Sequence, residues 1–264
     1  MHTITMSIET PKKRQTHQCL EKIFNIDNEH CEIGIDEAGR GPMFGRVYTG
    51  AVVLPKDSKD FHYEWMKDSK KFSSPKKIKE VAEYIKENAV AWSVTYEDEK
   101  SIDKINILQA TYKSMHHAVH NILTDGHKIS CLVVDGNNFK PYTKFDNSSM
   151  RYKSIPHFCV EGGDNKYASI AAASILAKVG RDTYIEELCQ QYPELVTHYN
   201  IDKNKGYGTK THIDGIREHG ITKWHRKSYG LCRNADIAVL NGYVSGHNSG
   251  HNSESDDEVS VQVT

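Results

Sequence analysis

An α/β domain is the fold class that this sequence predicts, on three observations. Short apolar runs of strand length alternate with segments whose apolar residues recur every three or four positions. Two of the apolar runs end in carboxylates, at Asp36 and Asp135, where α/β sheets present functional groups. One helical segment opens on a block of small side chains suited to lying flat on a sheet.

In chain order, residues 1–29 are polar without sustained periodicity and are read as a loose N-terminal extension. Glu32–Ala38 and Val47–Leu54 are strand-like runs around a glycine-rich turn. Ser74–Glu87 is predicted as a helix, with Ser74 as N-cap, Pro75 at the first helical position, and Ile78, Val81, Ala82 and Ile85 on its apolar face. Ala89–Tyr96 is strand-like. From Ile105 through Leu108, Tyr112, Met115, Val119 and Ile122 the spacing predicts an amphipathic helix of about five turns. Ile129–Val134 is a short buried strand closed by Asp135, and Ile155–Val160 is a further strand candidate. The stretch between them, through NNFKPYTKFDNSSMRYKS, reads as a long connection. Ala168–Leu188 is a long helix whose first turns are built from Ala and Ser. From about Asn241 the chain is rich in Gly, Ser, Asn and His and then acidic, so residues 236–264 are expected to form a disordered tail. One domain over residues 30–235 remains.

Composition narrows the class. Hydrophobic residues are 38% and charged residues 26% of the 264 positions, which supports a real core. No run approaches the roughly 20 apolar residues of a membrane span. Met1–Lys13 lacks the apolar stretch of a secretory signal, so a soluble cytoplasmic protein is expected. The six cysteines have no CxxC pairing and are expected to be reduced thiols. None of the fifteen histidines falls in an HExxH frame, and they are read as surface or incidental residues. Net charge is −1, unevenly divided: residues 233–264 carry −4 and residues 1–232 carry +3. Within Ile201–Cys232, seven Lys and Arg face three acids, a balance compatible with a polyanionic partner.

Several carboxylates resist a solvated-surface explanation. Asp36 and Glu37 are adjacent within an apolar strand, where a buried acidic pair is costly without a cation. Asp135 closes a strand, although an Asp-Gly-Asn turn would also explain it. Asp164 precedes the small-residue helix, where N-capping is an equal alternative. An all-oxygen donor set without thiolates favours Mg²⁺ or Mn²⁺ over Zn²⁺. Several carboxylates able to hold two such ions suit phosphodiester hydrolysis.

The segment GIDEAGRGPMFG (Gly34–Gly45) resembles the opening motif of the type 2 ribonucleases H, the family of bacterial ribonuclease HII and the eukaryotic H2 catalytic subunit. The resemblance continues in order through DSKKFSSPKK (Asp68–Lys77), VVDGN (Val133–Asn137), GGDNKYASIAAASILAKVGRD (Gly162–Asp182), KGYGTKTH (Lys205–His212) and EHGITKWHRKSYGLC (Glu218–Cys232). It implies a ribonuclease H-like α/β fold with a mixed central sheet flanked by helices, plus a smaller helical C-terminal portion. It further implies a monomeric endonuclease that hydrolyses the RNA strand of RNA–DNA hybrids and cleaves at ribonucleotides embedded in duplex DNA, leaving 3′-hydroxyl and 5′-phosphate ends.

Carried over residue by residue, Asp36, Glu37, Asp135 and Asp164 resemble the family's metal-binding catalytic carboxylates, holding two Mg²⁺ or Mn²⁺ ions. Gly39, Arg40 and Gly41 match the turn whose backbone meets the 2′-hydroxyl of the cleaved ribonucleotide. Tyr207 matches the tyrosine that packs on the sugar at the RNA–DNA junction. Lys70, Lys71, Arg226 and Lys227 are candidates for phosphate contacts. The long connection after Asp135 resembles the eukaryotic type more than the compact bacterial form, and Arg46 stands where the family usually has a second Gly-Pro. Type 3 relatives lack the GRG sequence and are disfavoured. A carboxylate-metal DNA nuclease or transferase on the same fold and a non-catalytic nucleic-acid-binding module remain the rival readings. A dinucleotide fold is rejected, because Gly39, Gly41 and Gly45 are spaced GxGxxxG behind two acids.

Overall fold

The computed structural model describes residues 19–24, 30–56 and 58–238. Residues 1–18, 25–29 and 57 and those from 239 onward lie outside them. The disordered tail expected over 236–264 is corrected at its start, because residues 236–238 pair with Ile221 through two backbone bonds of 2.7 Å, and the rest of that expectation lies outside the described residues.

Five strands form one mixed sheet: β1 (Cys31–Ala38), β2 (Val47–Val53), β3 (Ala91–Glu97), β4 (Ile129–Asp135) and, after the hairpin described below, β7 (His157–Val160). Their order is β3-β2-β1-β4-β7. β1, β2 and β3 are joined antiparallel, whereas β1, β4 and β7 run parallel, so the expected mixed sheet is present. Helix α1 (Pro75–Asn88) starts as its sequence predicts, with the Ser74 hydroxyl accepting from the Lys77 N–H and Pro at the first position. Helix α2 (Glu99–Thr124) is longer than predicted. Its backbone leaves the helical region at Asn106 (φ 65°, ψ 163°), whose side chain accepts from the Gln109 N–H and so caps the longer second segment. The apolar spacing therefore found that second segment and missed the turns before Asn106.

α2 covers one face of the sheet, burying Tyr112, Met115, Val119 and Ile122 against Ile33, Ile35, Ala51 and Leu132. α1 and the small-residue helix α3 (Ala168–Gln191) cover the other. The contact with α3 is unusually close. A Cβ on Gly34 would stand 2.2 Å from the Ser169 carbonyl carbon, and one on Gly50 would stand 2.2 Å from the Ala173 oxygen. Ser169 and Ala173 thus meet glycines of β1 and β2, so backbone lies nearly on backbone. That contact places α3 beside the carboxyl end of β1.

The C-terminal portion consists of α4 (Glu194–Tyr199), α5 (Ile201–Asn204) and α6 (Lys210–His219). It packs with the second half of α3 and with Phe44 of the β1–β2 loop around Leu195, Tyr199, Ile201, Ile216 and Trp224. The smaller helical unit expected from the resemblance is therefore fused to the loop that follows β1.

Three further expectations need revision. The connection after Asp135 carries a hairpin, β5 (Thr143–Asp146) and β6 (Arg151–Ser154), whose residues are almost all exposed. Without a buried face, no alternation marks it in the sequence. Asp164 does not cap α3: Tyr167 is the N-cap, and Asp164 sits in a short 3₁₀ turn upstream. Finally, part of the N-terminal extension is docked. Glu21 bridges Tyr167, and the Phe24 ring lies 4.8 Å from that of Phe158 while its N–H donates to Glu32 at 2.9 Å.

Candidate functional site

Asp36 and Glu37 are the sixth and seventh residues of an eight-residue strand, so their side chains leave opposite faces. Asp36 points to the α3 side. It is 5% exposed, and its carboxylate accepts the Glu37 N–H at 2.7 Å and a bond from the Ser174 hydroxyl of α3. Glu37 points to the α2 side and pairs with Arg40 at 3.2 Å. Asp135 ends the neighbouring parallel strand, one residue beyond the pairing of Ile35 with Val134, and accepts the Gly163 N–H at 2.7 Å. That bond ties it to the turn carrying Asp164, which is 8% exposed and accepts from Asn165.

The acids feel one another. Burial pushes the Asp36 carboxyl well above its ordinary pKa, and the charges of Glu37 and Asp135 push it further. Burial likewise raises Glu37, opposed by Arg40. Asp164 is raised by burial and by the charges of Asp68 and Asp135. Among the described residues no group of three or more Asp, Glu, His or Cys is arranged to hold a metal ion as it stands. The donor chemistry fits a hard divalent cation all the same. The cluster is all oxygen, partly buried and self-repelling, and a bound cation relieves that repulsion.

The Lys70–Lys71 motif is brought to this cluster. Asp68 caps the turn by accepting from the Lys70 N–H, Ser69 meets Ser174, and the Lys71 ammonium donates to Asn165. Both lysines are exposed at its rim.

Gly39–Gly41 forms a turn at the other side, with Gly39 at φ 96°. Tyr207 arrives from the far end of the chain, between Gly206 and Gly208, and is 51% exposed. Its ring edge lies 3.4 Å from where a Cβ on Gly41 would be, which is van der Waals contact distance. The two motifs, 166 residues apart in sequence, are neighbours in space.

Arg226 is not a phosphate contact. It is completely buried, and its guanidinium donates to the carbonyls of Gly45 (2.9 Å), Arg40 (3.0 Å) and Gly39 (2.5 Å) and to the Tyr229 hydroxyl. Burial lowers the Arg226 pKa, opposed in part by Tyr229, Glu99 and Asp103, and the three carbonyls satisfy the guanidinium's donors. Arg226 therefore clamps the Gly39–Gly45 loop from inside. Arg226→Ala is expected to cost about 3–5 kcal/mol of stability, on the scale of breaking a buried charged network. Thermal unfolding should register this as a large fall in Tm, and activity should fall on every substrate alike. An unchanged Tm would contradict the clamp. Lys227 is exposed, as a phosphate contact must be, while its N–H is held by the Asp103 carboxylate at 2.9 Å.

Other residues around the site carried no sequence signal. Arg181 is buried behind the same loop, donating to Phe44 and Lys205 carbonyls and packing on Gly39. Arg46, where the family's Gly-Pro is missing, stacks on Tyr96 and Tyr184, with its guanidinium carbon 3.9 and 4.3 Å from the ring centres. His212 and His225 are fully buried and hydrogen-bonded to each other, so these two histidines are not surface residues.

Known proteins resemble this chain closely. A family profile described as ribonuclease HII matches residues 33–232. The ribonuclease HII of Parabacteroides distasonis is 44% identical over 78% of this chain and 93% of its own length. That of Bacteroides fragilis is 42% identical over 82% of this chain and 97% of its own. These relatives are bacterial, so the long connection after Asp135 does not place the chain with the eukaryotic subunit. Among solved structures, the ribonuclease H2 of Pyrococcus horikoshii aligns with a TM-score of 0.59 at 24% identity, over 77% of this chain and 95% of that one. The ribonuclease HII of Archaeoglobus fulgidus, solved in complex with PCNA, gives 0.58 at 22%, over 76% and 96%. Both share the fold. With motifs, sheet order and relatives in agreement, this chain belongs to the ribonuclease HII family, the type 2 ribonucleases H, and is an enzyme with ribonuclease H endonuclease activity.

Proposed function

We propose that the enzyme cleaves both continuous RNA strands in RNA–DNA hybrids and single ribonucleotides embedded in duplex DNA, leaving 3′-hydroxyl and 5′-phosphate ends. The observation that carries this reading is the meeting of Tyr207 with the Gly39–Gly41 turn beside the carboxylate cluster. A hydroxyl-reading turn next to a sugar-stacking ring is what recognition of one ribose in a DNA duplex requires.

Asp36, Glu37, Asp135 and Asp164 are the residues that would hold two Mg²⁺ or Mn²⁺ ions. Such a pair, when bound, activates the attacking water and stabilises the leaving oxygen. The chain's own residues do the rest. Gly163 N–H fixes the Asp135 carboxylate, and Ser174 fixes Asp36, so the acids are oriented before substrate arrives. Arg226 commits the Gly39 and Arg40 carbonyls inward, so neither carbonyl is offered to a 2′-hydroxyl, and the N–H groups of the same turn are the donors proposed to meet it. The Tyr207 ring lies exposed beside that turn, ready to pack on the next sugar. Lys70, Lys71 and Lys227 contribute phosphate contacts at the rim.

The deciding assay compares three duplexes in Mg²⁺: all-DNA, DNA with one ribonucleotide, and DNA paired with continuous RNA. Cleavage is expected on the last two only, and cutting of all-DNA duplex at a similar rate would make the enzyme a general nuclease. For the rim lysines, the Lys70→Ala, Lys71→Ala double variant should flatten the dependence of log affinity on log salt by about 0.7–0.9 for each phosphate no longer neutralised. An unchanged slope would leave both lysines without a phosphate.

A further inference from the structure

The buried histidines define a hydrogen-bonded chain that ends on the backbone of Tyr207. The Thr222 N–H donates to His225 Nδ1 at 2.9 Å, and the Thr222 hydroxyl lies 2.9 Å from the same nitrogen. The two Nε2 atoms of His225 and His212 are 3.0 Å apart. His212 Nδ1 lies 2.9 Å from the Tyr207 carbonyl oxygen. The ends of this chain fix its protons. A backbone N–H can only donate, so His225 Nδ1 is bare and its hydrogen sits on Nε2. A carbonyl can only accept, so His212 carries its hydrogen on Nδ1 and leaves Nε2 bare. One hydrogen then fills the gap between the rings, and every polar atom is satisfied. A further proton would set two N–H groups face to face or break the bond from Thr222.

The surroundings keep the pair in this state. His212 is 0% and His225 1% exposed, and Phe44 and Tyr199 close over His225 with ring centres 5.1 and 5.2 Å away. Burial lowers the His212 pKa, and burial together with His212 takes His225 down to about 3. The segment that carries His225 also carries Arg226. Its backbone pairs with the loop after the Gly39–Gly41 turn, through Gly45 N–H to Trp224 oxygen and Arg226 N–H to Met43 oxygen, both 2.8 Å. One stretch of chain thus grips the turn through Arg226 and the tyrosine through His225.

We propose that His225 and His212 form a fixed-tautomer relay that positions Tyr207 against the Gly39–Gly41 turn, making both imidazoles positioning residues for sugar recognition, a role that rests on the function proposed above. The relay spans the gap between α6 and the Thr222–Arg226 segment, so the tyrosine and the turn keep one separation. A mere core-filling pair would need no particular tautomer and no polar link to Tyr207.

Two measurements test it. Long-range ¹H–¹⁵N spectra of the free protein at neutral pH are expected to report His212 as the Nδ1–H tautomer and His225 as the Nε2–H tautomer. The reverse pattern, or averaging between the two, would overturn the relay whether or not the enzyme selects ribonucleotide junctions. The second measurement is the ratio of kcat/KM on single-ribonucleotide duplex to that on continuous hybrid, in which any loss of folded enzyme cancels. In His212→Asn the amide reaches the Nδ1 position and still donates to Tyr207, so the ratio should stay within about twofold. In His212→Gln the amide reaches only the Nε2 position and the bond to Tyr207 is broken, so the ratio should fall about tenfold, the scale of removing one positioning hydrogen bond. Equal effects of Asn and Gln would overturn the proposal. A wild-type enzyme without junction selectivity would instead count against the proposed function, and the tautomer spectra would still decide the relay.

Discussion

Asp36→Asn and Asp135→Asn are each expected to lower turnover on an RNA–DNA hybrid by about 10²-fold or more, the scale of losing one preorganised electrostatic group. The reason lies in the repulsion among these acids. Burial and the charges of Glu37 and Asp135 hold Asp36 above its ordinary pKa, so the ionised cluster is costly to the metal-free fold. Removing one charge lowers that cost and weakens the cation site together. The folded state binds protons more tightly than the unfolded chain at Asp36, Glu37 and Asp164. The metal-free protein therefore gains stability as pH falls toward the ordinary carboxylate range, and loses it as pH rises through the raised values of Asp36, Glu37 and Asp164. Metal-free Asp36→Asn should accordingly melt at or above the wild-type temperature at pH 8, although its turnover collapses. Protons and divalent ions compete for the same oxygens, so the acid limb of the activity profile should move to lower pH as Mg²⁺ is raised. Near wild-type turnover of either variant at limiting Mg²⁺ would remove that residue from the site.

The framework was legible wherever burial imposed a period on the sequence. β1, β2 and β4 are largely buried on both faces because helices cover both, and α1 announces itself through Ser74 and Pro75. The alanine block of α3 pointed to close approach, and its partners proved to be Gly34 and Gly50. Where burial is absent the signal fails. The β5–β6 hairpin faces solvent, so neither pattern nor turn chemistry distinguishes it from a loop. The first turns of α2 were hidden by Asn106, which breaks the helix while capping its continuation.

In the site, the acids were legible because a carboxylate in an apolar strand is expensive and therefore conspicuous. Sequence reasoning failed for Arg226 and for His212 and His225, since charge alone does not tell a phosphate contact from a buried clamp. Arg226 and Lys227 are adjacent and both positively charged, yet one is sealed among carbonyls and the other faces water. What separates them is which side of a short segment faces Gly39, a fact of tertiary pairing with Met43 and Gly45. The His212–His225 contact likewise joins residues from separate segments with no motif spacing between them.

Tyr207→Ala is expected to lose activity most steeply on duplexes with a single embedded ribonucleotide, by about 10-fold or more relative to continuous hybrid, since a stacking contact contributes about 1–3 kcal/mol. With one ribose in a DNA duplex, recognition falls on one sugar and its neighbour, whereas a continuous RNA strand offers a 2′-hydroxyl at every step. The ring is half exposed, lies against Gly41 and is fixed at its carbonyl by bonds from His212 and Thr209. Truncation therefore removes a surface that is already in place and leaves the fold around it unchanged. Tyr207→Phe keeps the ring and should retain part of the junction activity, which separates stacking from hydrogen bonding by the hydroxyl. The carboxylates are held independently by Gly163 and Ser174, so metal affinity should be the same in both variants. Equal losses on single-ribonucleotide and continuous-RNA duplexes would make Tyr207 a general binding residue and move junction selection to the Gly39–Gly41 turn alone.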